Sequence, residues 1–193
     1  MMKRLIASGD VGDVIMVEAN TSQYVGKGRE TSWRLNPDTC PGGPLLQLGV
    51  HHIDTLFYLF GEISEVKSFI TSNYFSTGIP DTVSSIFLFK SGIVGYMGTN
   101  YISEPAFFIR VYGTKGMLIV EDTAFYIYKN GQRKRLRLES IDTIKEQIRE
   151  FGVCIINGKK PEVGIEEATK VLKVVEAIME SSVQNNKVTP IIY

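Results

Sequence analysis

The sequence predicts an α+β fold: one large, mostly antiparallel or mixed β-sheet with helices packed on one face. Three observations carry that prediction. Six consecutive segments between residues 63 and 130 are rich in β-branched and aromatic residues. Tight-turn signals separate several of them, at Ser91-Gly92, Thr114 to Gly116 and Asn130-Gly131, so neighbouring segments pair as hairpins and not as βαβ crossovers. Helical segments flank this run on both sides. At 193 residues the chain is the size of one domain with a sizeable core, so residues 1–193 are read as a single domain.

The elements follow in order. "MMKRLIASG" reads as a short helix stopped by Gly9, and "GDVIMVEANTSQYV" alternates as a strand. Residues 26–43 are rich in Gly, Pro, Asn, Asp and Thr and read as a long loop, a kind that is often functional. "GGPLLQLGVHHIDTLFYLFG" is a hydrophobic helix. Six strand segments follow: "ISEVKSFITSNYF", "DTVSSIFLFK", "GIVGYMGTNYI", "AFFIRVYG", "GMLIVED" and "AFYIYKN". The basic run "RKRLR", read as a strand, places Arg133, Arg135 and Arg137 on one solvated face. "SIDTIKEQIREFGVCIING" and "GIEEATKVLKVVEAIMESSVQNN" return to helix.

Composition excludes several function classes. Lys plus Arg and Asp plus Glu number 21 each, so no net field draws in nucleic acid or an anionic membrane. Cys40 and Cys154 are isolated, which fits a reducing cytoplasm better than a disulfide framework. No apolar run reaches the ~18 residues of a membrane span, and the N-terminus does not read as a signal peptide.

The central helix spends its polar residues selectively. At about 100° per residue, Gln47, His51, Asp54 and Tyr58 fall within a wedge of roughly 60°. Leu45, Leu46, Leu48, Ile53, Leu56, Phe57, Leu59 and Phe60 fill the opposite arc, and His52 lies on that apolar side. Such a stripe serves equally as a solvent face, but a plain solvent face uses Lys, Glu and Arg, and none occurs between Gly43 and Gly61. An imidazole with a carboxylate one turn away suits acid–base work, because the Asp fixes the tautomer and raises the basicity of the ring. His52 reads as a satisfied core histidine. A metal site is disfavoured, since zinc wants three or four protein ligands and the two histidines point apart.

At these residues the sequence resembles the C-terminal domain of the Gfo/Idh/MocA oxidoreductases, the family of glucose–fructose oxidoreductase and inositol 2-dehydrogenase. The Gly-Gly pair and His-x-x-Asp helix of "GGPLLQLGVHHIDTLFYLFG" carry the resemblance. So do "LIASGDVGDVIMVEA", the Trp-Arg loop "SWRLNPDTCPGG", the hairpin "IRVYGTKGMLIVED" and the closing "PEVGIEEATKVLKVVEAIMESSVQNNKV". Together they run from about residue 4 to 189. The resemblance implies a sheet like that of the glucose–fructose oxidoreductase and dihydrodipicolinate reductase C-terminal domains, its second face covered in a homodimer or higher oligomer. It implies hydride transfer between NAD or NADP and a sugar or polyol. His51 aligns with the catalytic acid–base, Asp54 with its support, and Gln47, Trp33 and Arg34 with the substrate pocket.

Two departures qualify the expectation. Gln47 stands where the family has Asp, and a glutamine hydrogen-bonds a hydroxyl but carries no charge. No GxGxxG occurs, and the nearest approach, "GKGRET" (Gly26 to Thr31), opens no apolar helix. The family's Glu-Lys-Pro motif is absent as well. The chain alone is therefore expected to bind no dinucleotide, to have no metal or cofactor site of its own, and to be inactive without a Rossmann domain supplied in cis or in trans. The polar alternation of "FITSNYF" and "YMGTNYI" suggests Thr, Asn and Tyr on one sheet face, where a polyol or a partner is met. The alternative is a stand-alone dimeric binding or scaffold module without redox activity.

Overall fold

The structure is a computed structural model that describes residues 1–25, 32–138, 141–184 and 188–193. The described strands form one nine-stranded sheet in the order β8-β7-β6-β5-β1-β4-β3-β2-β9. They are β1 (Val14–Ser22), β2 (Ile63–Thr71), β3 (Thr82–Phe89), β4 (Val94–Asn100), β5 (Ala106–Gly113), β6 (Gly116–Glu121), β7 (Ala124–Lys129), β8 (Gln132–Leu136) and β9 (Thr189–Pro190). Every described pair is antiparallel except β1 with β4, which runs parallel from Met16 opposite Val94 to Asn20 opposite Gly98. The sheet is thus mixed, and β1, the first strand in sequence, lies in its middle.

The helices are α1 (Met2–Ala7), α2 (Val50–Phe60), α3 (Thr143–Asn157) and α4 (Ile165–Val183). One sheet face, with Val17, Ala19, Val83, Phe87, Met97, Val111, Leu118 and Phe125, is buried with the apolar sides of α2 and α4. From α4 come Val171, Val174, Val175 and Ile178, spaced i, i+3, i+4, i+7 to form one stripe. Burying each such side chain contributes about 1.5–3 kcal/mol. Ser68 on β2 fixes the helix height, donating from Oγ to the Ile178 carbonyl at 2.5 Å and from its N–H to Ser181 Oγ at 3.2 Å.

Helix α3 departs from this arrangement. Asp142 caps it, accepting from the Lys145 N–H at 3.0 Å, and Gly158 ends it in the left-handed conformation. Yet no residue of α3 is buried, and Ile144, Ile148, Phe151 and Ile155 form an apolar stripe left in solvent.

No described helix packs on the second sheet face. Phe69, Ile86, Leu88, Val94 and Tyr96 are exposed there, and all of these but Leu88 line an apolar hollow of about 380 Å³ together with Met16 and Gly95. Beside it Glu18 is buried, accepting from the Tyr96 and Tyr112 hydroxyls and paired with Arg110 at 3.3 Å. Burial works to raise the Glu18 pKa, but the two phenols and Arg110 outweigh it and hold the carboxylate below its usual range. Arg133 of the basic run lies over the Tyr126 ring at 3.7 Å and reaches Glu121 at 3.9 Å, so it joins this face instead of standing free in water.

Candidate functional site

The central helix is not uniform. Residues Leu45–Gly49 form a π turn ahead of α2, and the Val50 N–H donates to the Leu45 carbonyl five residues back. Gly43 makes this start possible. Its φ is +49°, and a Cβ there would lie 2.2 Å from the Pro80 carbonyl oxygen, so only glycine lets the chain pass so close to the β2–β3 connection. Thr99 of β4 anchors the turn: its hydroxyl is 2.6 Å from the Thr21 carbonyl and 3.4 Å from that of Pro44.

Gln47 projects from the π turn toward the Trp-Arg loop. A 3-10 turn at Trp33–Leu35, capped by Ser32, holds that loop, and buried Leu35 and Cys40 pin it to Val25, Ile79 and Tyr101. Arg34 Nε donates to Gln47 Oε1 at 2.8 Å, and Gln47 Nε2 donates to Cys40 Sγ at 3.5 Å. The guanidinium sits 4.8 Å from the Trp33 ring and has no carboxylate partner among the described residues. Trp33 is 53% exposed, so its ring is a free surface at the rim.

Arg34, Gln47, Gln23, Val25, Leu48 and Tyr101 line a cavity of about 310 Å³. Tyr101 is buried, and its hydroxyl has no hydrogen-bond partner among the described residues. Burial pushes its pKa far up, with the Arg34 charge pulling weakly the other way, so the phenol stays protonated and able to donate. Sequence reading passed over Tyr101 and Gln23. The alternation of "YMGTNYI" was the available signal, read as Thr, Asn and Tyr together on one sheet face. Met97, Thr99 and Tyr101 instead share the helix-side parity and are buried, while Asn100 bonds Ser22 Oγ and the Ile102 and Ser103 amides. In "FITSNYF" the strand ends at Thr71, ahead of Asn73 and Tyr74.

The remaining stripe residues are dispersed. His51 is exposed on α2, and no hydrogen bond joins its ring to Asp54. Asp54 is half-buried and faces a separate cleft of about 570 Å³ that Glu146, Glu150, Phe151 and Glu162 also line. Tyr58 lies under the Lys3 ammonium, 3.6 Å from its ring centroid. The single wedge assumed 100° at every residue. A π turn advances less per residue, which offsets Gln47 from the α2 residues, so Gln47 and Asp54 open into different hollows. His52 is buried as expected, edge-on to Phe107 at 4.7 Å, but its Nε2 makes no hydrogen bond among the described residues. Burial lowers its pKa to about 4.

The described residues lack the usual cradle for a dinucleotide's pyrophosphate. None of their helices opens from a glycine-rich turn directly after a strand: α2 follows the π turn, α3 follows a glycine-free segment after β8, and α4 follows α3. The "GKGRET" segment lies outside the described residues.

A family model of the GFO/IDH/MocA C-terminal domain matches residues 1–119. A crystal structure of a candidate NADPH-dependent oxidoreductase from Desulfitobacterium hafniense superposes with a TM-score of 0.90 at 30% identity, over 98% of this chain and 60% of that one. D-xylose 1-dehydrogenase (NADP(+)) 2 of Haloferax volcanii is 24% identical over 187 residues, 92% of this chain and 56% of its own length. Trans-1,2-dihydrobenzene-1,2-diol dehydrogenase of Sus scrofa is 25% identical over 143 residues, 72% of this chain and 41% of the enzyme. The chain spans about half the length of these curated relatives. With the matching model covering most of the chain and the sheet superposing on a relative nearly end to end, the chain belongs to the GFO/IDH/MocA family and carries its C-terminal domain.

Proposed function

We propose that residues 1–193 form a single substrate-binding and oligomerisation domain of an NAD(P)-dependent oxidoreductase acting on a sugar, polyol or sugar derivative. The observation that carries this reading is the cavity beneath the Trp-Arg loop, where Arg34 and Gln47 are held together at 2.8 Å beside the helix of His51. In this reading Gln47 and Arg34 bind substrate oxygens and the exposed Trp33 ring covers the sugar's apolar face. His51 takes the proton of the reacting hydroxyl. Asp54, one turn on along α2, supports His51 in this role. The dinucleotide is held by a Rossmann domain in cis or in trans, and these residues by themselves turn nothing over. The relatives' names, a D-xylose dehydrogenase and a dihydrodiol dehydrogenase, support a carbinol substrate.

The open sheet face supports self-association: exposed Phe69, Ile86, Leu88, Val94 and Tyr96 form a contiguous apolar surface of the kind a second copy covers. Both cysteines are free thiols, in keeping with a cytoplasmic protein. The test of the catalytic reading is His51→Ala in the protein joined to its dinucleotide domain. Loss of proton transfer lowers kcat by roughly 10²–10⁴-fold with KM little changed. An unchanged kcat removes His51 from the mechanism.

A further inference from the structure

We infer that the cavity under the Trp-Arg loop is built for an acidic group, so that the substrate is a sugar derivative carrying a carboxylate or a phosphate, with Tyr101 as a specificity-determining residue. This inference deepens the substrate-binding reading above and rests on it.

The charge of the described lining is one-sided, with Arg34 its one charged side chain. Arg34 commits only Nε inside the protein, to Gln47. Among the described residues its remaining N–H groups have no carboxylate partner, and none of the Asp or Glu side chains lines the cavity. Gln47 already accepts from Arg34 and donates to Cys40, and as a neutral amide it sets no charge against an anion. Tyr101 lies wholly inside the protein with an idle hydroxyl. A buried hydroxyl without a partner costs stability, and a ligand oxygen would relieve that cost. Arg34 near the rim and Tyr101 within thus offer donors that no described carboxylate or hydroxyl partner engages. A neutral polyol would leave the Arg34 guanidinium without a counter-charge. A carboxylate or phosphate brings acceptors only and meets a guanidinium in its preferred geometry. At about 310 Å³ the cavity is at the small end for ligand sites, the size of one acidic end group with its sugar ring.

The experiment is a calorimetric titration of the 193-residue chain with D-glucuronate, D-glucose 6-phosphate and neutral D-glucose. At least one acid should bind on the order of tenfold or more tighter than glucose. Tighter glucuronate would identify a carboxylate and tighter glucose 6-phosphate a phosphate. Arg34→Gln, at an exposed position, should bring the acid down to the affinity of glucose. Tyr101→Phe should weaken the acid several-fold without lowering the unfolding midpoint. His51→Ala should leave the acid preference in place, so failure of the catalytic reading and failure of this one are read separately. Equal affinity for all three ligands, no binding of either acid, or an acid preference that survives Arg34→Gln would overturn the inference.

Discussion

Gly43→Ala should be among the more damaging single-methyl additions to this chain, and its cost can be worked from two contributions. An L-residue at a φ of +49° is in the left-handed region, which costs roughly 1–2 kcal/mol. The added Cβ would also lie 2.2 Å from the Pro80 oxygen and 3.1 Å from its carbonyl carbon. Both partners are backbone, so no side chain can swing aside, and overpacking of this kind costs roughly 1–3 kcal/mol. The sum is about 2–5 kcal/mol. Gly158 supplies the control, since it is also left-handed, at φ +60°, but nothing lies within 4 Å of its Cβ position. Gly158→Ala should cost only the conformational part, roughly 1–2 kcal/mol. Urea unfolding of the two variants beside the parent chain measures both, and the difference isolates the Pro80 contact. Equal losses within about 0.5 kcal/mol, the usual scatter of a surface substitution, would refute close passage of Gly43 past Pro80 as the reason for glycine there.

Three further outcomes are expected. His52 titrates at about 4 in the folded chain against 6.5 unfolded, so its contribution is complete above pH 6.5 and is lost as the pH falls toward 4, by about 3 kcal/mol in all; His52→Leu should flatten that acid limb in urea titrations at pH 7 and 4.5, and an unaltered limb would assign it to other groups. Ile178→Ala, in the core, should cost about 2–5 kcal/mol, whereas Ile148→Ala on exposed α3 should stay within about 0.5 kcal/mol; matching losses would mean α3 is packed. Ile86→Asp on the open sheet face should shift the species seen by sedimentation from an oligomer to the 21.6 kDa chain, and an oligomer that persists would place the interface elsewhere.

Much of the fold was legible because its signals are local. Asn130-Gly131 predicts a hairpin, and β7 and β8 pair there with Lys129 opposite Gln132. The period-2 pattern of β3 is followed residue by residue, Val83, Ser85, Phe87 and Phe89 buried and the residues between them not. The parallel pairing of β1 with β4 joins segments more than seventy residues apart and leaves no local mark. Helix α3 shows the converse: its pattern is amphipathic, but periodicity says only that a face seeks a partner, not that this domain supplies one. At the site, residue types were legible and geometry was not. Arg34 and Gln47 were both expected near substrate, but their direct bond depends on the π turn, and a helical wheel has no π turn in it. Tyr101 was hidden for a different reason. The alternation of "YMGTNYI" groups Thr, Asn and Tyr on one face without saying which tyrosine is buried, and the lack of a described partner for its hydroxyl is what distinguishes Tyr101.

The π turn at Leu45–Gly49 has a consequence for how such pockets diversify. A five-residue hydrogen-bonded turn holds one residue more than an α-helical turn does. Losing one residue there would let the segment close as ordinary α-helix and swing everything before it by about 100° about the axis, taking Gln47 away from Arg34 while His51 stays where it is. Relatives with the same amino acids but a different length in this segment would then present another pocket to the same histidine. Chain length, as much as side-chain identity, becomes a heritable variable of specificity at this point, and an alignment that scores only matched letters would pass over it.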